Sequence, residues 1–303
     1  MKGAGKPPAP PARQTPRQVA RSAQRQEPPP VVSGRWLVYA LLIAVGAAAV
    51  CVYLTLCLLF YQGQWQLMLH PSRTISATPA SRGLKFDDIR FDYTETGTAQ
   101  LDGWWIPAEA GARWSADTVL YLHGGSGSLS NSVDEVAALH SLGINVFAFD
   151  YRGFGQSAGP VPREKRMSED SEAAWVYLTD TRHIGAKSIV IYGTGVGASL
   201  AAELATKHDP AGLILERPSE PARKVIGADA RSRIVPGWLI TERFDPVEAL
   251  KNLAVPKLFL DRDGTQARTS ELYRAAADPK EYFELRQSGY EATLRRFLDE
   301  VLP

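Results

Sequence analysis

Beyond residue 118 the chain alternates between short apolar runs and longer stretches with apolar positions every three to four residues. The runs Thr118–His123, Asn145–Asp150, Ser188–Tyr192, Gly212–Leu215, Lys257–Leu260 and Tyr282–Leu285 predict strands. Between them, Ser132–Leu142, Glu164–Asp180, Gly197–His208, Ser270–Ala277 and Glu291–Val301 carry the helical period. Strands alternating with amphipathic helices predict an α/β fold, its central sheet mostly parallel and covered by helices on both faces. Upstream, Asp88–Tyr93 and Leu101–Ile106 lie on either side of the turn Glu95-Thr96-Gly97-Thr98 and predict leading antiparallel strands. Residues 216–256 are the most irregular and predict a small cap, an excursion over the C-terminal edge of the sheet.

A different apolar segment precedes this domain. Trp36–Tyr61 is 26 residues without a charge. At a rise of about 1.5 Å per residue it crosses a hydrocarbon core about 30 Å thick. Trp36 and Tyr39 at one end, with Phe60, Tyr61 and Trp65 at the other, suit the two membrane interfaces. A cleavable signal peptide fits less well, because the charged region and the apolar run are both long and no small-x-small cleavage site follows. The pattern predicts a disordered Pro/Arg-rich tail over 1–35, a transmembrane helix over 36–61, a linker over 62–82 and a globular domain over 83–303.

The tail holds eight prolines and too little apolar surface to fold. It also takes seven of the 34 Lys/Arg and one of the 33 Asp/Glu, leaving 36–303 with 27 basic and 32 acidic residues, a net charge of −5. That balance offers no surface for nucleic acid. The positive tail predicts a cytoplasmic N-terminus and a domain on the exocytoplasmic side, the periplasm in a Gram-negative source. Cys51 and Cys57 both fall in the predicted anchor, so no disulfide is expected within the domain.

The most informative motif is Gly193-Thr194-Gly195-Val196-Gly197, at the end of the run Ser188–Tyr192. A strand-to-helix turn of the form G-x-S-x-G carries a nucleophilic serine on a strained corner. Here both flanking glycines are present and the serine position is Gly195. Two further motifs precede it. Leu120-Tyr121-Leu122-His123-Gly124-Gly125 runs a strand into an H-G-G loop, and Asp150-Tyr151-Arg152-Gly153-Phe154-Gly155-Gln156-Ser157 follows the next strand. In this order and spacing the three motifs resemble the α/β-hydrolase superfamily, particularly its single-pass membrane-anchored members related to the serine peptidase and monoacylglycerol lipase groups. The resemblance covers residues 60–303. It implies an α/β-hydrolase fold, and an oxyanion hole built from the H-G-G loop backbone and the residue after the nucleophile. On this sequence those ligand-binding positions are His123, Gly124, Gly125 and Val196.

The departures from the family pattern matter more. The acid segment after Lys257–Leu260 reads Asp261-Arg262-Asp263-Gly264-Thr265-Gln266-Ala267, which puts the acid position at Thr265 or Ala267, with Asp263 as a candidate substitute. The G-H turn before the last helix is Gly289-Tyr290, and no histidine lies beyond His208. Serine attack requires a base to take the hydroxyl proton and an acid to hold that base. A tyrosine, with a reference pKa near 10, is a poor base at neutral pH. The degenerate positions Gly195, Thr265 and Tyr290 therefore predict a pseudoenzyme, without cofactor or metal, that binds a small molecule or a protein partner and associates with the membrane through its N-terminal helix.

Two rival functions use the same residues. An active esterase, lipase or peptidase would need a displaced nucleophile, for which Thr194, Ser199 and Ser126 are the candidates. Thr194 is expected to point back toward the sheet, Ser199 to make local backbone bonds, and Ser126 to occupy a turn. A nucleotide-binding protein would use Gly193-x-Gly195-x-x-Ala198, with Glu216 as the ribose-binding acid 23 residues after Gly193. The His123 side chain is either a functional loop anchor or a packed strand-end residue. Arg152 is expected to brace its loop by pairing with an acid. Of Trp104 and Trp105, which straddle a strand, one is expected inside and the other exposed.

Overall fold

The computed structural model describes residues 33–92, 100–261, 267–284 and 289–302. The chain divides into two compact units, 1–54 and 55–303. Helix α1, Gly34–Gly63, is long and apolar enough to cross a membrane, and its only buried residues are Cys57 and Phe60.

The second unit is built on one eight-stranded sheet: β1 (Asp87–Phe91), β2 (Leu101–Ile106), β3 (Trp114–Leu122), β4 (Ile144–Asp150), β5 (Ile189–Thr194), β6 (Gly212–Glu216), β7 (Lys257–Asp261) and β8 (Lys280–Glu284). Their spatial order is β8-β7-β6-β5-β3-β4-β2-β1. Strand β2 pairs antiparallel with both β1 and β4, and every other pairing is parallel. Side chains leave β5 alternately, so Ile189 and Ile191 join one core while Val190 and Tyr192 join the other. Helices α3 (Glu164–Val176) and α4 (Gly197–Lys207) cover the first face; α2 (Val133–His140) and the last helix, Tyr290–Val301, cover the second. The inner strands are buried on both faces, as a parallel sheet requires. This is the α/β-hydrolase fold.

The element boundaries differ from the sequence pattern where pairing outweighs local signals. Strand β3 begins at Trp114 rather than Thr118, its register shifting between those residues, and Trp114 is buried. Strand β5 runs on through Gly193 and Thr194, because these two still pair with Leu215 and Glu216. Both Trp104 and Trp105 are buried, correcting the expectation that one is exposed. The Arg182 guanidinium lies 3.8 Å from the Trp105 ring centroid and covers its outer face.

Residues 64–82 are not a free linker. Leu69 is buried, His70–Pro71 pairs with Ser126–Gly127, and the Gln64 side chain, 1% exposed, accepts from the Thr241 N–H at 2.9 Å and donates to the Leu239 carbonyl at 2.9 Å. The irregular segment after β6 is an excursion containing α5 (Ala222–Ala228), two 3-10 turns (Ala230–Arg233 and Gly237–Leu239) and α6 (Val247–Lys251). The chain then enters β7, α7 (Ala267–Ala275), β8 and α8 (Tyr290–Val301).

Candidate functional site

The turn between β5 and α4 has the geometry of a nucleophile elbow. The strand end and first helical turn approach so closely that a Cβ on Gly193 would lie 2.5 Å from the Gly197 carbonyl oxygen, and one on Gly197 would lie 2.6 Å from that of His123. Gly195 sits on the corner at φ +60°, a left-handed conformation that costs other residues about 1–2 kcal/mol. Three backbone hydrogen bonds hold it. Its N–H donates to Glu216 O at 3.2 Å, while its carbonyl accepts from Ser219 N–H at 3.1 Å and from Ala198 N–H at 3.3 Å. A Cβ at 195 would meet nothing nearer than Gly124 Cα at 3.4 Å. The corner is fully formed and has room for a side chain, but it carries no nucleophilic atom.

The four residues expected to line an oxyanion-type site do come together. A Cβ on Gly125 would lie 3.2 Å from Val196 Cγ2 and 2.9 Å from Leu69 Cδ2, so the H-G-G loop, the elbow and the chain leaving α1 pack on one another. The Val196 N–H, just ahead of α4, donates to no group among the described residues.

The structure resolves the open question about His123 in favour of packing. Its ring is 1% exposed and lies 4.6 Å from the Tyr151 ring and 5.1 Å from that of Phe154. Nδ1 is 2.7 Å from Gly124 O, which assigns the proton to Nδ1. Burial lowers the imidazole pKa to about 4. Nε2 then presents a lone pair toward Asp150 Oδ1, 3.6 Å away. Burial raises Asp150 to about 7, although its Oδ1 accepts the Leu129 N–H at 2.8 Å. His123 therefore braces the loop as a neutral ring.

Tyr290 is equally committed to structure. Its hydroxyl lies 2.9 Å from that of Tyr192, which donates to the Glu216 carboxylate. Tyr192 and Glu216 are both fully buried, and Tyr192 stacks on Tyr121 with centroids 5.4 Å apart. Burial pushes the Tyr192 phenol well above its ordinary pKa, so it is a proton donor and not a base. Glu216 is also 3.4 Å from Arg217 Nε. A carboxylate enclosed in this way is not offered to a ribose, which corrects the role that the Gly193–Glu216 spacing suggests. The Gly289-Tyr290 position thus anchors α8 to the ends of β5 and β6.

Asp263 and Thr265 lie outside the described residues. Just before them, Asp261 ends β7, buried, and accepts from Tyr282 Oη at 2.9 Å. Arg152 pairs with Asp170 at 2.6 Å and with Glu169 at 2.7 Å, tying its loop to α3. Burial raises Asp170 to about 7 against the opposing pull of Arg152. Among the candidate displaced nucleophiles, Thr194 is buried at the end of β5, and Ser126 is exposed and pairs with His70. The Ser199 hydroxyl is buried with no hydrogen-bond partner among the described residues, rather than bonded to local backbone as expected.

Sequence reasoning missed the Tyr192–Glu216 pair beneath Tyr290, the Tyr282–Asp261 bond and the Ser219 N–H on the elbow. Each joins residues from different strands or loops, and only strand register brings them together.

Comparison with known proteins agrees with this architecture. The sequence profile described as serine aminopeptidase, S33, matches residues 115–271, just over half of the chain. An uncharacterized protein of Mycobacterium tuberculosis is 30% identical over 217 residues, covering 67% of this chain and 76% of its own length. Human alpha/beta hydrolase domain-containing protein 17B is 32% identical over 115 residues, which is 38% of this chain and 40% of that protein. Among solved structures, the Pyrococcus furiosus esterase Pf2001 superposes with TM-score 0.59 at 20% identity, covering 77% of this chain and 97% of that one. An α/β-hydrolase from Vibrio vulnificus superposes with TM-score 0.57 at 23% identity, covering 75% and 85%. At these identities the two structures establish the fold alone.

Proposed function

This chain belongs to the serine aminopeptidase S33 family of α/β-hydrolases, and we propose that within it the protein is a membrane-anchored pseudoenzyme that binds a ligand at the elbow. The observation that carries this reading is the formed corner at Gly195, φ +60°, with the Val196 N–H, which has no acceptor among the described residues, beside it. Such a site keeps the donors that stabilise a carbonyl oxygen or an anion and lacks the atom that would attack. The Tyr290 phenol, bonded to Tyr192, supports the same conclusion, because no imidazole stands at the base position. The ligand expected is a small carbonyl compound or carboxylate, or a partner's acidic side chain. Helix α1 is the anchor, with the positive tail in the cytoplasm and the domain on the other side.

One observation favours a second reading, an active hydrolase with a displaced nucleophile. The Ser199 hydroxyl is buried on the first turn of α4 without a partner among the described residues. Treating the purified full-length protein in detergent with a broad fluorophosphonate probe separates the two readings by intact mass. Folded protein without an adduct is the expected result. A stoichiometric adduct mapped to Ser199 would overturn the pseudoenzyme reading.

A further inference from the structure

The last turns of α1 meet the excursion after β6 around a cavity of about 760 Å³. One wall is apolar helix surface, Leu56, Leu59 and Phe60; the facing wall is Ile234 and Val235, and Arg163 and Arg231 stand at the lining. None of the elbow residues lines it. Ile234 and the neighbouring Trp238 are 57% and 76% exposed, an unusual degree for an isoleucine and a tryptophan on one short segment. The Gln64 amide, by bonding Leu239 and Thr241, fixes the Trp238 turn against the end of α1. Trp238 is therefore held beside the stretch Phe60–Trp65, where the aromatic residues of the anchor reach the membrane interface.

Charge is segregated in the same place. Segment 217–243 carries six basic residues (Arg217, Arg223, Lys224, Arg231, Arg233, Arg243) against Glu220, Asp229 and Glu242, a net +3 within a region, 36–303, whose net charge is −5. Asp229 pairs with Arg231 at 2.8 Å and Glu242 lies 3.7 Å from Arg163, whereas Arg223 and Arg233 have no acidic partner among the described residues. A basic, tryptophan-bearing surface beside a membrane helix is attracted to anionic headgroups.

We propose that this groove holds an anionic phospholipid of the surrounding bilayer, one acyl chain lying between Leu56/Leu59 and Ile234/Val235 and the phosphate resting on Arg231 and Arg163. The phosphate shares these two with Asp229 and Glu242, while Arg223 and Arg233, without acidic partners among the described residues, add positive charge to the surface around it. The site rests on the reading of α1 as a membrane anchor and is separate from the elbow. Its size lies within the range of ordinary ligand pockets. The bound lipid fixes the excursion against the membrane surface, with Trp238 and Ile234 immersed among the headgroups.

The test reconstitutes the full-length protein into phosphatidylcholine vesicles containing a photoactivatable phosphatidylglycerol, with a photoactivatable phosphatidylcholine as the comparison. Cross-linked peptides are mapped by mass spectrometry, and alkaline carbonate extraction is run on the same vesicles. The expected result is phosphatidylglycerol cross-linking concentrated on 55–67 and 231–240. It should be lost in Leu59→Trp, which fills the groove, and should fall to the phosphatidylcholine level in the surface variant Arg231→Glu/Arg233→Glu. Protein that resists carbonate but cross-links uniformly along α1, whatever the headgroup or variant, would overturn the groove and leave the anchor standing. Protein released by carbonate would overturn the anchor and the groove with it.

Discussion

Replacing Gly195 by serine restores the side chain that the family motif calls for, and the structure predicts that it destabilises the domain without creating activity. The new Cβ meets only Gly124 Cα at 3.4 Å, an ordinary contact, so the cost comes from the backbone. At φ +60° a residue with a Cβ is less stable than glycine by about 1–2 kcal/mol. For a domain of this size each kcal/mol lowers Tm by roughly 2–4 °C, so Gly195→Ser should melt about 2–8 °C lower. Differential scanning calorimetry of the full-length protein in detergent measures the shift, and hydrolysis of p-nitrophenyl butyrate measures activity. The serine hydroxyl would find no base, because the Tyr290 phenol is held by Tyr192 at 2.9 Å. A variant that melts at or above the parent temperature would refute the strain argument. A new esterase rate abolished by fluorophosphonate would refute the assignment of Tyr290.

Two further predictions follow from the buried polar groups. Tyr290→Phe removes the bond to Tyr192, which should cost about 0.5–1.5 kcal/mol. Tyr192→Phe removes the hydroxyl that bonds both Glu216 and Tyr290 and should cost more, about 1–3 kcal/mol; urea denaturation that reverses this order would contradict the Tyr290–Tyr192–Glu216 arrangement. The second concerns pH. Asp150 and Asp170, each raised from 3.8 to about 7, are favoured protonated in the fold, so the stability they contribute is full below about pH 4 and is lost as pH rises through 7. His123, lowered from 6.5 to about 4, acts oppositely, contributing above pH 6.5 and losing its contribution as pH falls through 4. Asp150→Asn keeps the acceptor for Leu129 N–H and removes the titration, so it should flatten the loss of stability between about pH 4 and 7; an unchanged pH–Tm profile would show that Asp150 ionises normally.

The order of strands and helices, the elbow at Gly193–Gly197 and the apolar span of α1 were all legible in the sequence. Each is written in local chemistry: an apolar period for strand and helix, paired glycines where backbones meet, and an uncharged run longer than a bilayer core is thick. The strand limits were less legible, because β5 continues through Gly193-Thr194 on the strength of its pairing with β6. The buried pair of tryptophans was also out of reach, since Arg182, which covers Trp105, comes from a distant turn.

By itself, then, the sequence determined that the corner of a hydrolase fold carries a glycine and that a tyrosine follows Gly289. Only the tertiary structure decided what those substitutions accomplish. It bonded Tyr290 to Tyr192 over Glu216, packed His123 as a neutral ring beside Asp150, and left the Val196 N–H without an acceptor among the described residues. It also packed the chain after α1 onto the domain through Gln64, beside a groove lined by Leu56, Leu59, Ile234 and Val235. The physical reason is the same throughout. Backbone propensity and apolar period act over a few residues, whereas the burial that sets protonation and the partners of a polar group depend on which distant strands and turns are brought into contact.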